Sequence, residues 1–210
     1  MTFELWITFV AASTALLLIP GPTVLLVMSY ALGQGRRIAL ATAAGVALGD
    51  LIAMSASLAG LGALVLASAK LFVVLKWGGA IYLIYLGIKL FRSASSAKLG
   101  SVESMSSIPS RGVFGHAAAV TALNPKSIVF FIAFVPQFVV PSQPLLPQFT
   151  ILVATFVGMA AVNALAYALL ADQLRSRISR PSVLAWLTRF GGAALVTMGI
   201  ATAVIKRANA

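Results

Sequence analysis

Long apolar stretches, separated by short polar or basic segments, run along almost the whole chain. Six of them hold about 20 or more residues, the length that a helix needs to cross a bilayer core. They are Leu5–Leu32, Ile38–Ala67, Leu71–Leu90, Val113–Val140, Phe149–Ala171 and Val183–Ile205. Because helices satisfy their own backbone within one such segment, the pattern predicts an all-α membrane protein with six transmembrane helices.

The first and fourth apolar runs are interrupted by residues that break helices. Pro20, Gly21 and Pro22 stand in the first run, and Asn124 and Pro125 stand in the fourth. Proline costs about 3 kcal/mol in a helix interior and glycine about 1 kcal/mol, so we expect two broken helices. Broken backbone at membrane depth is tolerated inside the protein or along a watery cavity. The alternative is a simple packing kink in each helix.

The two halves of the chain resemble each other at a constant offset. Residues 38–47 (IALATAAGVA) match residues 151–160 (ILVATFVGMA), and KWGGA at 76–80 matches RFGGA at 189–193, both shifted by 113 residues. The two proline breaks align at a shift of 103 residues, from position 22 to position 125. The loop at 141–148 should therefore be about ten residues longer than its counterpart near Gly33–Arg37.

Each copy of this repeat contains three predicted helices, so the second copy should enter the membrane from the opposite side. We predict a first three-helix repeat at 1–92, a cytoplasmic linker at 93–112 and a second repeat at 113–210, all within one membrane domain. Inverted repeats of this kind are typical of secondary transporters, which bind substrate near the bilayer midplane at broken helices.

Composition supports a membrane protein, because the chain is 60% hydrophobic and only 9% charged. Soluble domains carry about 25% charged residues. The net charge of +11 does not require nucleic acid as a partner, since basic residues gather at predicted helix ends beside lipid headgroups. Ten basic residues follow the first, third and fifth helices and four lie on the other side, which predicts both termini outside.

The chain has no cysteine, which excludes disulfides and thiolate metal sites. We also find no G-x-x-x-x-G-K-[ST] loop for nucleotide phosphates and no H-E-x-x-H pair for zinc. The sequence therefore predicts no bound cofactor or metal and no enzyme activity.

Ionisable and polar side chains meet the two breaks at one predicted depth. Counted at about 1.5 Å per residue from the cytoplasmic ends, Pro22, Asp50, Pro125 and Lys126 lie roughly 15–20 Å deep, and Asn163 about 12 Å deep. Free N–H groups at a half-helix N-terminus suit a carboxylate, and free carbonyls suit an ammonium. A zwitterionic amino acid would satisfy both.

Asp50 is the only acid well inside a predicted span, where a charge costs at least about 2.5–3.5 kcal/mol. We interpret it as a group that binds a proton or the substrate ammonium; the alternative is a structural ion pair with Lys126. Lys126 would face a substrate carboxylate or Asp50. Asn163 occupies the repeat position of Asp50 and cannot titrate; its alternative role is an interhelical hydrogen bond. His116 is more typical of a structural histidine, although a proton relay stays open.

Four motifs resemble those of the lysine-exporter (LysE/RhtB-type) amino-acid exporter family. They are Pro20-Gly21-Pro22, the GVALGD run that ends at Asp50, WGGAIYLIYLGIKL at 77–90 and TALNPK at 121–126. The resemblance implies a bacterial inner-membrane exporter of amino acids or close derivatives, driven by the proton motive force and homodimeric. Family members often carry Asn where Thr23 stands here, so Thr23 is a candidate substrate contact. The absence of cysteine argues against a related redox branch.

Our hypothesis from the sequence is a proton-coupled exporter that works by alternating access. A metal-ion exporter would need several clustered carboxylates, and a membrane-embedded or lipid-handling enzyme would place its acid–base pair at the interface. A purely structural subunit would not need buried charges. The sequence leaves the identity of the exported amino acid open.

Overall fold

The computed structural model of the chain describes residues 1–19, 21–67, 69–93, 109–140, 142–171 and 181–204. Pro20 and most of the predicted linker at 93–112 lie outside the described residues. The described part is helical, with eight α-helices: α1 Phe3–Leu18, α2 Pro22–Gln34, α3 Ala39–Ala67, α4 Ala69–Ser93, α5 Ser110–Ala122, α6 Pro125–Ala133, α7 Leu145–Leu169 and α8 Pro181–Val204. Short 3₁₀ turns at Arg36–Ile38 and Val135–Phe138 precede α3 and follow α6.

Both predicted breaks are present as bends between consecutive helices. The axes of α1 and α2 differ by 56°, and those of α5 and the segment Pro125–Phe138 by 46°. Pro22 and Pro125 each stand at the start of a new helix, where proline's missing N–H has no partner to lose. The breaks thus follow directly from local sequence.

Within the described residues, two single helices are long and apolar enough to cross a membrane, Ala39–Gly60 and Leu145–Leu169. The count rises to four if each of the two bent helix pairs forms one span. Helices α4 and α8, 25 and 24 residues long, occupy the positions of the predicted third and sixth spans. The all-helical class is confirmed. The count of six spans and the inverted repeat stay predictions.

Several predicted boundaries are wrong by a few residues. Helix α5 begins at Ser110, so the last residues of the predicted linker are helical. Helix α7 begins at Leu145, so the second half of the predicted loop at 141–148 belongs to a helix. The buried Gln148 holds this shorter loop, because its side chain accepts a hydrogen bond from Val140 N at 2.8 Å and donates one to Val140 O at 3.0 Å.

Glycines bring α3 and α5 into close contact beside the second break. A Cβ at Gly45 would lie 2.5 Å from the carbonyl oxygen of Phe114, and one at Gly49 would lie 2.6 Å from that of Ala118. Such distances admit only glycine without movement of the backbone. Because Asp50 follows Gly49 directly, this packing fixes its carboxyl next to the break between α5 and α6.

An aromatic cluster connects α6 and the 3₁₀ turn after it with α1 and α7. Its rings have centroids 4.8–6.0 Å apart and belong to Phe9, Phe130, Phe131, Phe134, Phe138 and Phe156. These side chains are all buried. The cluster therefore holds α1, α6 and α7 together through apolar contacts.

Candidate binding site at the two helix breaks

A small polar cavity lies where the two breaks meet. Its volume is about 30 Å³, measured as the space open to the centre of a water-sized sphere. Its polar lining comes from α2, α3, α6 and α7 and from the residue before α6: Thr23, Asp50, Asn124, Lys126, Ser127, Asn163 and Tyr167. One water needs roughly 10–15 Å³ of such volume, so the cavity is smaller than an amino acid.

All four side chains proposed from the sequence as substrate or proton ligands, Asp50, Lys126, Asn163 and Thr23, line this one cavity. Pro22 and Pro125 do not line it. They are exposed, whereas their neighbours Gly21 and Asn124 line the cavity. The rings mark where the helices break, and the adjacent residues form the walls.

Lys126 bridges the two breaks. Its Nζ donates hydrogen bonds to the carbonyl oxygens of Leu16 and Ile19, each at 3.1 Å, at the C-terminal end of α1. A cation is favoured there, because the last carbonyls of a helix lack intrahelical donors and carry partial negative charge. No ion pair within 4.0 Å joins Lys126 to Asp50, so the ion pair that we gave as the alternative role of Asp50 is not formed in this structure.

Two further side chains cap the same end of α1. Asn163 Nδ2 donates to Leu17 O at 3.3 Å, and Tyr167 OH donates to Leu18 O at 3.5 Å. The interhelical hydrogen bond that we gave as the alternative role of Asn163 is therefore present. Sequence reasoning missed Tyr167; its signal was the spacing of four residues from Asn163, which places both on one face of α7.

Thr23 connects the N-termini of α2 and α6. Its hydroxyl accepts a hydrogen bond from Asn124 Nδ2 at 3.2 Å and one from Thr121 Oγ1 at 3.4 Å. Asn124 also caps α6, because its Oδ1 accepts from the backbone N–H of Lys126 at 3.1 Å. Thr121 belongs to the TALNPK motif but was not predicted as a site residue.

The N-terminus of α2 has no such cap. Gly21 occupies the capping position, carries no side chain, and leaves α2 without a side-chain hydrogen bond at this end. Gly21, Thr23 and Val24 all line the cavity. The first N–H groups of a helix have no intrahelical acceptor, so this end of α2 directs unopposed donors and partial positive charge at the cavity.

Asp50 brings an acceptor to the same space. The residue is only 3% exposed, and its Oδ1 has no hydrogen-bond partner in the structure. Buried polar atoms are normally paired, so a lone carboxyl oxygen in a cavity calls for a bound donor. Donors at α2 and an acceptor at Asp50 together match the carboxylate and ammonium of a zwitterion.

His116 lies outside this set. Its Nδ1 is 2.7 Å from the hydroxyl of Tyr30, which joins α5 to α2, and it does not line the cavity. Among the described residues, no group of three or more histidine, aspartate or glutamate side chains is placed to hold a metal ion.

Comparisons with known proteins agree with the motifs. The family model for LysE type translocators matches residues 14–205. The chain is 37% identical over 209 residues to a homoserine/homoserine lactone efflux protein of Salmonella typhimurium, covering 99% of this chain and 100% of the relative. It is 31% identical over 137 residues to a leucine efflux protein of Salmonella choleraesuis, covering 65% and 64%. No solved structure matches the chain.

Proposed function

The chain belongs to the LysE type translocator family, and we propose that it is a secondary-active exporter of amino acids or close derivatives. The similarity to efflux proteins for homoserine and for leucine suggests a neutral amino acid as its substrate. We place it in the bacterial inner membrane as a homodimer with both termini outside.

The observation that carries the proposal is the shared cavity at the two helix breaks. An uncapped helix N-terminus at Gly21 and a buried, unpaired oxygen of Asp50 face the same space. Together they offer a site for a carboxylate and a site for a cation in one cavity. The apolar lining at Val27, Val46 and Ala160 suits an uncharged side chain.

Asp50 is the proposed coupling residue. Among the described residues that line the cavity, it is the only one with a carboxyl group, and Lys126 is the only one with a side-chain cation. A proton or an ammonium group on Asp50 removes the cost of an isolated charge at membrane depth. Exchange of the proton for an ammonium group at Asp50 would link export of the amino acid to proton entry.

Transport also requires the cavity to open, because its present volume is too small for an amino acid. The bends of 56° and 46° between half-helices are natural hinges for such a motion. The aromatic cluster holds α6 against α7 through Phe130, Phe131 and Phe156, so we propose that opening toward the outside separates these two helices there.

Purified protein in proteoliposomes tests this function. We expect counterflow of radiolabelled L-homoserine or L-leucine that a pH gradient accelerates, and we expect Asp50→Asn to abolish the acceleration. Glu4→Gln, which removes an exposed acid outside the cavity, serves as the control and should transport normally. Full pH-driven transport by Asp50→Asn would refute the coupling role, and no counterflow of any amino acid by the native protein would refute the substrate class.

A further inference from the structure

The Lys126 ammonium has the same chemistry as the ammonium of an amino acid. It lies 3.1 Å from each of two backbone carbonyl oxygens, Leu16 O and Ile19 O, at the broken end of α1. Two carbonyls that converge at a helix C-terminus form a binding site for any primary ammonium. The side chain of Lys126 therefore fills a site that a substrate could use.

Lys126 also fills the space beside the carbonyls. A Cβ built on Gly21 would lie 3.3 Å from Lys126 Nζ and 3.6 Å from its Cε, so the lysine packs against the bare backbone of the first break. The open volume left in the cavity is about 30 Å³. An incoming ammonium can reach Leu16 O and Ile19 O only after Lys126 moves.

Asp50 offers Lys126 a second position. It lines the same cavity, its Oδ1 is unpaired, and it forms no ion pair with Lys126 within 4.0 Å. Moving the ammonium from the carbonyls to the carboxyl pairs two groups that are each costly alone in this environment. The lysine stem is flexible and can serve both positions from one backbone site.

We propose that the Leu16 and Ile19 carbonyls are the subsite for the substrate ammonium, and that Lys126 occupies it until substrate displaces Lys126 to Asp50. This inference rests on the proposed function. Binding then exchanges one ammonium for another at α1 and simultaneously pairs Asp50. An acid without an amine cannot make this exchange, so the mechanism selects amine-bearing substrates.

A double-mutant cycle on the purified full-length chain separates this mechanism from the alternatives. Calorimetric titration with L-homoserine is compared for the native protein, Asp50→Asn, Lys126→Met and the double variant. The desamino analogue 4-hydroxybutanoate is the control ligand. Lys126→Gln repeats the cycle with a side chain that still donates to a carbonyl but carries no charge, in case Lys126→Met fails to fold.

In Asp50→Asn, displaced Lys126 has no acceptor, and a buried unpaired charge should lower L-homoserine affinity at least about 30-fold. Adding Lys126→Met removes that charge, and the double variant should bind L-homoserine at least about tenfold more tightly than Asp50→Asn does. Lys89→Met, which removes an exposed lysine elsewhere, should restore nothing. Binding of 4-hydroxybutanoate should show no such recovery, because it does not displace Lys126.

Two results would overturn the exchange. If Lys126→Met and Lys126→Gln lower L-homoserine affinity in both backgrounds, Lys126 binds the substrate carboxylate directly. If neither Lys126 substitution changes the affinity that is lost in Asp50→Asn, Lys126 is a permanent cap of α1. In both cases the native protein still binds L-homoserine and the proposed function stands, whereas failure of the native protein to bind any amino acid would remove both.

Discussion

The two helix breaks align in sequence but are stabilised in opposite ways. At the second break, Asn124 caps α6 with its own side chain, and the backbone N–H of Leu123 bonds Ala119 O at 3.0 Å within α5. At the first break, Gly21 provides no cap for α2. The carbonyls of α1 there depend on Lys126, Asn163 and Tyr167 from the other half of the chain.

This difference assigns unlike tasks to the two halves. At the first break, donors and acceptors line the cavity, and the second half of the chain supplies the side chains that hold this break in place. Asp50 and Asn163, which correspond at a shift of 113 residues, differ in the same way. Asp50 keeps an unpaired oxygen in the cavity, while Asn163 is committed to Leu17 O.

The strongest way to break this comparison is to exchange Asp50 and Asn163. If the halves were equivalent, Asp50→Asn combined with Asn163→Asp would transport. We expect the double variant to lose at least about 100-fold of transport in proteoliposomes, because a carboxylate at 163 faces Leu17 O and leaves that carbonyl without a donor, at about 1–3 kcal/mol.

Each single variant is the control for that exchange. Asn163→Asp alone should unfold at a lower temperature than the native protein, whereas Asp50→Asn alone should retain or gain stability. Transport restored in the double variant would show that the two positions are interchangeable and that the asymmetry has no functional meaning.

Adding a side-chain cap to α2 tests the same comparison at the first break. Gly21→Asn would make the first break copy the second, and its amide oxygen would cover the N–H groups that face the cavity. We expect roughly tenfold weaker amino-acid binding with stability changed by only a few tenths of a kcal/mol. Gly21→Ala adds a Cβ near Lys126 Nζ without a cap, so it should weaken binding about two- to threefold.

Equal binding losses in Gly21→Asn and Gly21→Ala would mean that contact with Lys126, and not the open N-terminus, accounts for the effect. Gly158→Ala is a matched control, because a Cβ there meets nothing within 4 Å. It should bind and transport like the native protein.

Removal of the cap at the second break should affect stability more than binding. Asn124→Ala is expected to lower the free energy of unfolding by about 1 kcal/mol, since Oδ1 no longer accepts from Lys126 N. Asn124→Ser keeps a capping oxygen without adding a charge, so it should recover most of the stability measured by thermal unfolding. No loss in Asn124→Ala would show that the second break is not stabilised by its own cap.

The sequence predicted the helical class, both breaks and four of the side chains that line the cavity. It did so because proline geometry and the cost of charge in an apolar run are local or compositional effects. It did not identify Tyr167 as a partner of α1, and it did not indicate that Pro22 and Pro125 are exposed. The observed helix ends differ from the predicted ones by up to four residues, because the first turn of a helix tolerates proline and polar residues. Helix α7, which begins at Leu145, is an example.

Local chemistry along the chain thus determined that α1 and α5 end before prolines and that one acid and one lysine enter the apolar interior. Which carbonyls the lysine binds was decided only by tertiary packing, because α1 and Lys126 are more than 100 residues apart and meet through the fold. The glycine contacts of α3 with α5 and the caps from α7 set those distances. Backbone carbonyls are chemically equivalent along the chain, so only the tertiary structure determines which of them a given side chain bonds.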